Sequence, residues 1–388
     1  MANSKQKIAT SLTVPADRDI LVCIFQRGAA DGINAVVPYL DPEYKFRRPN
    51  IQVQPQDVIP LADIFGLHPA LLPLKAIYDD GNLAFVHATG MPHDSRSHFT
   101  AQGLVERGVT DKAGPDTGWL GRHMALTAPA SNSAFRMVAI SGNVPVSLSG
   151  ANEEPLAISN LGEFAFDQDI IDSGYPDVLA RLFRSPVPFN EPASAALSAL
   201  DELAAAKLSA ITHDNGTVYP VTPLGNKLEQ VAQLIKSSMP VEAVCLDSDD
   251  WDHHENLPTY IDQSLTQLAE AISAFYTDMG TTSMQRITML VYTEFGRRVD
   301  KNGSNGADHG TAALAYLIGG GVDGGKVIAN PWPGLATGNL YNGEDLQITT
   351  DLRSVLSEML MKRLGGTDIN TVFPGFTGPN TANVFLNI

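Results

Sequence analysis

The sequence predicts an α/β fold in which a largely parallel sheet lies between helices as a three-layer sandwich. Two features predict it: short, continuously apolar runs recur along the chain, and stretches of helical period separate them. The runs are Ile20 to Phe25, Leu83 to His87, Met137 to Ile140, Ala243 to Leu246, Ile287 to Tyr292 and Leu314 to Ile318. Several are too uniformly apolar for half-exposed strands and belong in a sheet covered on both faces, the habit of parallel α/β architecture.

The helices follow from the period of the apolar residues. After Pro258, the residues Ile261, Leu265, Leu268, Ile272, Phe275 and Met279 make one stripe, stopped at Gly280. A second stripe runs from Leu352 through Val355, Leu356, Met359 and Leu360 to Gly365 and Gly366; a third has Leu224, Leu228, Val231 and Ile235. Between about 174 and 240 the chain is rich in Ala and Ser and broken by prolines, which reads as a helical insertion. Residues 1–18 read as an N-terminal extension and 19–388 as a single domain. No internal repeat and no low-complexity linker separates two cores.

Composition excludes several classes of function. A chain of 388 residues buries roughly 75% of its unfolded surface, so a metal is free for chemistry rather than needed to hold a core. A formal charge of −17 repels nucleic acid and anionic lipid. No apolar run approaches the roughly 20 residues that span a bilayer. Cys23 and Cys245, the only two cysteines, sit inside apolar runs and read as small core side chains, which argues against a zinc-thiolate site. The first residues carry no apolar leader and no arginine pair, so no export signal is expected as given.

In an open parallel sheet, ligands bind beyond the carboxyl ends of the strands, which directs attention to the residues just after each run. Those segments hold Arg27 to Asn34 with Asp31 between, Met91 to Phe99, Asp247 to His254, Glu294 to Arg298, and then Asp308 with His309. Asp31, Asp252, His254, Glu294, Asp308 and His309 are the candidate metal ligands. Carboxylates mixed with imidazoles, without thiolates, suit zinc, manganese, magnesium or calcium, and do not choose among them or fix their number. Ser97 and Ser95 precede a helical run, where free N–H groups favour an anion, and are the candidate nucleophiles. Arg27, Asn34, Arg96, His98 and Arg297 are the candidate substrate-binding residues.

Each has a plainer reading beside it. The two serines suit a helix N-cap, Asp31-Gly32 a tight turn, the residues Asp252 to His254 a polar loop ahead of a helix, and Glu294 an ion pair with Arg297 or Arg298. The glycines from Gly319 to Gly325 invite a phosphate-loop reading, which fails for want of a following Lys-Ser or Lys-Thr.

With these segments in order, the sequence resembles a bacterial family, domain of unknown function fifteen-oh-one, placed in the alkaline phosphatase and sulfatase superfamily. The landmarks are Phe25 to Asn34, Phe65 to Leu71, Ser95 to Phe99, Trp251 to His254, Thr293 to Arg298, and Ala307 to Gly310 with Gly319 to Val322. The resemblance implies an alkaline-phosphatase-like sandwich, Asp31 as a first-strand ligand, Ser97 or Ser95 as nucleophile, Asp252 with His254 as a middle ligand pair and His309 with Asp308 as the late one. Glu294-Phe295 departs from the Asp-His usual there, and Phe cannot ligate. Twin-arginine-exported relatives imply a periplasmic location; apart from that resemblance a cytoplasmic one is the expectation. The expected function is metal-dependent hydrolysis of phosphate or sulfate esters, on a small molecule or a glycan. The alternative is a catalytically degenerate scaffold that binds a glycan or protein, and the sequence names no partner protein.

Overall fold

Seven consecutive buried residues, Ile20–Gln26, form strand β1 near the middle of the main sheet. The structure is a computed structural model that describes residues 19–386 apart from 130–132, 165–168, 170–171, 174–177, 180, 182–189 and 207. The expected extension 1–18 and part of the expected insertion 174–240 lie outside the described residues.

Strands β2 (Leu83–Gly90), β3 (Met137–Ala139), β4 (Leu156–Ala157), β5 (Ala243–Ser248), β6 (Ile287–Thr293), β7 (Ala313–Gly319), β8 (Lys326–Ile328) and β9 (Thr350–Asp351) join β1 in one sheet. The order is β8-β2-β7-β6-β1-β5-β3-β4, with β9 also paired to β2. β1 runs parallel to both β5 and β6, while β7 runs antiparallel to β6 and β2. The sheet is therefore largely parallel, as predicted, with one reversed strand.

Side chains alternate across β1, so Ile20, Val22 and Ile24 face one core and Leu21, Cys23 and Phe25 the other. The first core is covered by α3 (Asn190–Ala206), α4 (Pro223–Lys236) and α5 (Leu257–Met284). The second is covered by α1 (His98–Arg107), α2 (Trp119–Leu126) and α6 (Leu352–Arg363). That makes three layers, and each buried Leu or Ile contributes about 1.5–3 kcal/mol to holding them. The stripe of α5 is broken at Gly280, whose φ of +67° is non-helical, and a short turn continues to Met284. Cys23 lies in register with Cys245 on β5; both are buried free thiols. Among the described residues no helix is long and apolar enough to cross a membrane.

The direction of β7 decides where the chemistry sits. Parallel strands β1, β5 and β6 deliver their following loops to one rim, and the reversed β7 brings its preceding loop, with Asp308 and His309, to that same rim.

Candidate metal centre

The rim loops touch backbone to backbone. Gly28 has φ +119°, and a Cβ there would stand 2.7 Å from the Asp252 nitrogen, so only glycine lets the loop after β1 lie against the loop after β5. Gly306 plays the same part against His254, where a Cβ would meet backbone at 2.1 Å. Arg297, 1% exposed, then ties the loops together. Its guanidinium donates to the carbonyls of Ala29 at 2.7 Å, Gly28 at 2.6 Å and Ala307 at 2.9 Å, and to Asp252 Oδ1 at 2.5 Å.

Around Asp252 gather three imidazoles. His254 Nε2 lies 3.0 Å and His309 Nε2 3.2 Å from Asp252 Oδ1, while His98 Nε2 lies 3.4 Å from Oδ2. The Nε2 atoms of His254 and His309 are 2.9 Å apart. Single ligand atoms of His98, Asp252 and His309 all fall within 4.8 Å of one another, the spread of a metal-binding group.

The far side of each ring fixes its tautomer. Nδ1 faces an acceptor in every case: Glu294 Oε1 at 2.7 Å for His98, Asp308 Oδ1 at 3.0 Å for His254, and the Arg96 carbonyl at 2.8 Å for His309. A carboxylate or carbonyl only accepts, so Nδ1 carries a proton, while Nε2 faces the Asp252 carboxylate and would turn a lone pair to a cation bound at the centre. This carboxylate-to-imidazole pattern is the usual outer support of a histidine that binds a metal. Two Nε2 atoms 2.9 Å apart call for a proton or cation between them. His98 Nε2 is buried with no hydrogen-bond partner. Donor atoms at roughly 2.0–2.1 Å from a tetrahedral zinc stand roughly 3.3 Å apart. The contacts of Asp252 with His98 and His309, at 3.4 and 3.2 Å, match that spacing, so these three residues fit a cation.

Electrostatics keep the oxygens ionised. Burial opposes charge on Asp252, but the Arg297 guanidinium and His309 hold its carboxyl well below the usual range. Burial likewise opposes charge on Glu294, and the hydrogen bonds from His98 and Gln102 outweigh it, so its carboxyl is lowered. The Glu294 hydrogen bond raises His98, whereas burial lowers His309. Asp308 is lowered by the amide of Asn302 at 3.0 Å.

The residues singled out from sequence divide into three groups. Asp252, His254 and His309 meet at the centre. Glu294 and Asp308 stand behind it: Glu294, 1% exposed, accepts from Gly28 N, His98 Nδ1, Gln102 Nε2 and Thr293 Oγ1, which leaves no open side for a cation. The rest are engaged elsewhere. Asp31 caps a short helical turn through Ile33 N and Asn34 N and pairs with the fully buried Arg48 at 2.5 Å. Asn34 donates to the Ile51 carbonyl and accepts from Tyr44. Arg27 pairs with Glu106 and Asp247, both at 2.8 Å, and Arg96 with Asp345 at 2.5 Å. Arg297, read from sequence as a substrate holder, is instead committed to the loops beneath.

Ser97 stands at the N-cap of α1, exposed, with its side chain making no cap bond. Ser95 Oγ accepts from Ser97 N at 3.2 Å and so braces the turn. Sequence reasoning placed His98 with the substrate rather than with the ligands, although it stands in the same Ser95 to Phe99 segment. It missed Gln102 and Asn302, whose partners are 192 and 6 residues away. Phe295, noted from sequence as a departure that cannot ligate, stacks on His98 at 5.2 Å and lies 5.0 Å from His309.

Fold and site together define an α/β sandwich protein with a candidate metal centre at the carboxyl rim of its sheet. Residues 82–371 match the family described as "Protein of unknown function (DUF1501)", and the chain belongs to that family. No curated protein matches it. Among solved structures it is similar to the C-terminal periplasmic domain of EcEptC from Escherichia coli, at 9% identity and TM-score 0.37, covering 94% of this chain and 88% of that one. It is also similar to a TAB5 alkaline phosphatase mutant with Mg bound in its M3 site, at 11% identity and TM-score 0.32, covering 80% and 92%. A second TAB5 mutant gives 12% identity, the same TM-score of 0.32 and the same 80% and 92% coverage. Likenesses at these scores carry no argument about chemistry.

Proposed function

We propose that the chain is a metal-dependent hydrolase of phosphate or sulfate esters, with one divalent cation held by His98, Asp252 and His309 and with His254 beside it. The observation that carries this is the gathering of three imidazole Nε2 atoms around one carboxylate, each ring held from behind at Nδ1. Two imidazoles and a carboxylate suit zinc better than magnesium or calcium. When bound, the cation supplies Lewis-acid polarisation of an ester oxygen.

The chain's own groups do the rest. Asp252 holds its charge through Arg297, and Glu294 and Asp308 fix the rings of His98 and His254. Ser97 offers its hydroxyl at the start of α1, where free N–H groups favour an anion. Its oxygen bonds to phosphorus or sulfur, the bond to the alcohol breaks, and the serine proton ends on the departing alcohol. Water then cleaves the new bond and restores the serine.

One observation favours the second reading, a scaffold that binds a glycan or protein without turnover: Arg27, Arg96 and Arg297, expected to hold an anion, are all paired with carboxylates. Ester turnover by zinc-loaded protein decides between the two. Hydrolysis that is lost on chelation supports the enzyme; a loaded protein that turns over neither ester class supports the scaffold.

A further inference from the structure

Beside the candidate centre lies a cleft of about 440 Å³ whose wall includes Asp252 itself. Its volume falls within the roughly 300–1,000 Å³ of small-molecule sites. One wall is the loop after β5, with Asp247, Asp249 and Asp250; the other is a face of α5. Tyr260, Gln263, Ser264 and Gln267 stand at i, i+3, i+4 and i+7, so one helical stripe presents a phenol ring, a hydroxyl and two amides to the same space.

The charge in this cleft is mostly balanced. Asp247 pairs with Arg27 at 2.8 Å, Asp252 with Arg297 at 2.5 Å, and Asp249 lies 4.0 Å from Lys227. Asp250 alone of the four has no cationic side-chain partner among the described residues. Such a cleft neither attracts an anion nor concentrates enough negative charge to prefer a polycation. Carboxylate and amide oxygens, amide N–H groups and an exposed ring together match a neutral molecule with many hydroxyls and a partly apolar ring face. His253, 6% exposed, also lines the cleft; its Nε2 lies 2.9 Å from the Asp250 carbonyl and its buried Nδ1 has no partner.

We infer that this cleft is a carbohydrate subsite that seats the alcohol portion of the ester, so that the substrate class is an esterified sugar. The inference rests on the hydrolase reading for its ester and on the cleft alone for its sugar. Hydroxyl pairs are bridged by the Asp250 carboxylate and the amides of Gln263 and Gln267, and a pyranose face packs on Tyr260.

The test is calorimetric titration of the full chain, zinc-loaded and then chelator-treated, with cellobiose, maltose, lactose and N,N′-diacetylchitobiose. Tryptophan fluorescence gives a second readout, because Trp251, one of three tryptophans, lines the cleft. At least one of these sugars binds, binding survives chelation, and Gln263→Ala with Gln267→Ala weakens it by tenfold or more. Both glutamines are exposed, so the double variant folds, and unchanged zinc content checks that it has. Sugar binding without ester turnover sinks the hydrolase reading and leaves the subsite standing. Turnover without binding of any of the four sugars overturns the subsite alone, as does spermidine binding in their place.

Discussion

His98 Nδ1 lies 2.7 Å from Glu294 Oε1, and through that contact a buried carboxylate that touches no open space sets the direction of an imidazole that does. Glu294 was legible in the sequence as a candidate ligand. Its two oxygens already accept from four donors, which makes it a positioning residue.

Glu294→Gln therefore lowers zinc affinity by about 10- to 100-fold, the usual cost of losing an outer support. The fold survives, because Thr293 Oγ1 can give its proton to the Gln26 carbonyl 2.8 Å away and accept from the new amide. Competition against a chromophoric chelator measures the affinity. An unchanged value would mean that Glu294 does not orient His98.

Asp31 and Arg48 form an ion pair at 2.5 Å with side chains 1% and 0% exposed. Removing one partner of such a pair costs about 3–5 kcal/mol, since the other is left charged and buried. Asp31→Asn accordingly lowers the unfolding free energy in urea by roughly that amount, while zinc bound per folded molecule stays the same. Loss of zinc with little loss of stability would return Asp31 to the ligand set.

Acid weakens the fold through His87. Its ring is fully buried, Nδ1 accepts from Ala88 N at 2.8 Å and Nε2 donates to the Val36 carbonyl at 3.0 Å, so no site is left for a second proton. Burial pushes its pKa down from 6.5 to about 4. The unfolded chain takes up a proton that the folded chain refuses, so the stabilisation is complete above pH 6.5 and is lost as pH falls towards 4. The loss is about 3 kcal/mol on linkage grounds. Urea unfolding at both ends of that window should show a smaller pH difference in His87→Gln than in the parent; equal differences would contradict this.

On the hydrolase reading, Ser97→Ala lowers kcat for a phosphate or sulfate ester by roughly a hundredfold or more, the lower end of what a positioned group supplies. Zinc content is retained. Ser95→Ala acts less, because that hydroxyl braces the turn through Ser97 N. Equal activity of Ser97→Ala and the parent would remove Ser97 from the reaction.

How much of this was legible in the sequence follows the range of the interactions involved. The Ile20 to Phe25 run predicted a strand buried on both faces, and β1 is that strand, because local apolarity alone decides burial of both pleats. The Leu314 to Ile318 run predicted a strand too, but not its reversal, which depends on pairing with β6 and β2 from distant parts of the chain. In the site, Asp252, His254 and His309 could be picked out because each follows or precedes a strand at the rim. Arg48, the partner that takes Asp31 out of the centre, sits in an unremarkable Arg-Arg-Pro stretch whose long-range contacts leave no local trace. His98 could have been ranked higher from its place at a helix start, whereas its backing by Glu294, 196 residues away, appears only in three dimensions.

The most direct test is metal stoichiometry. Full-length protein is incubated with zinc, manganese or magnesium, desalted and assayed by plasma mass spectrometry beside the double variant Asp252→Asn with His309→Ala. The convergence of His98, Asp252 and His309 predicts close to one zinc per parent chain and little in the variant. A parent chain that emerges metal-free, or a variant that retains zinc equally well, would contradict it.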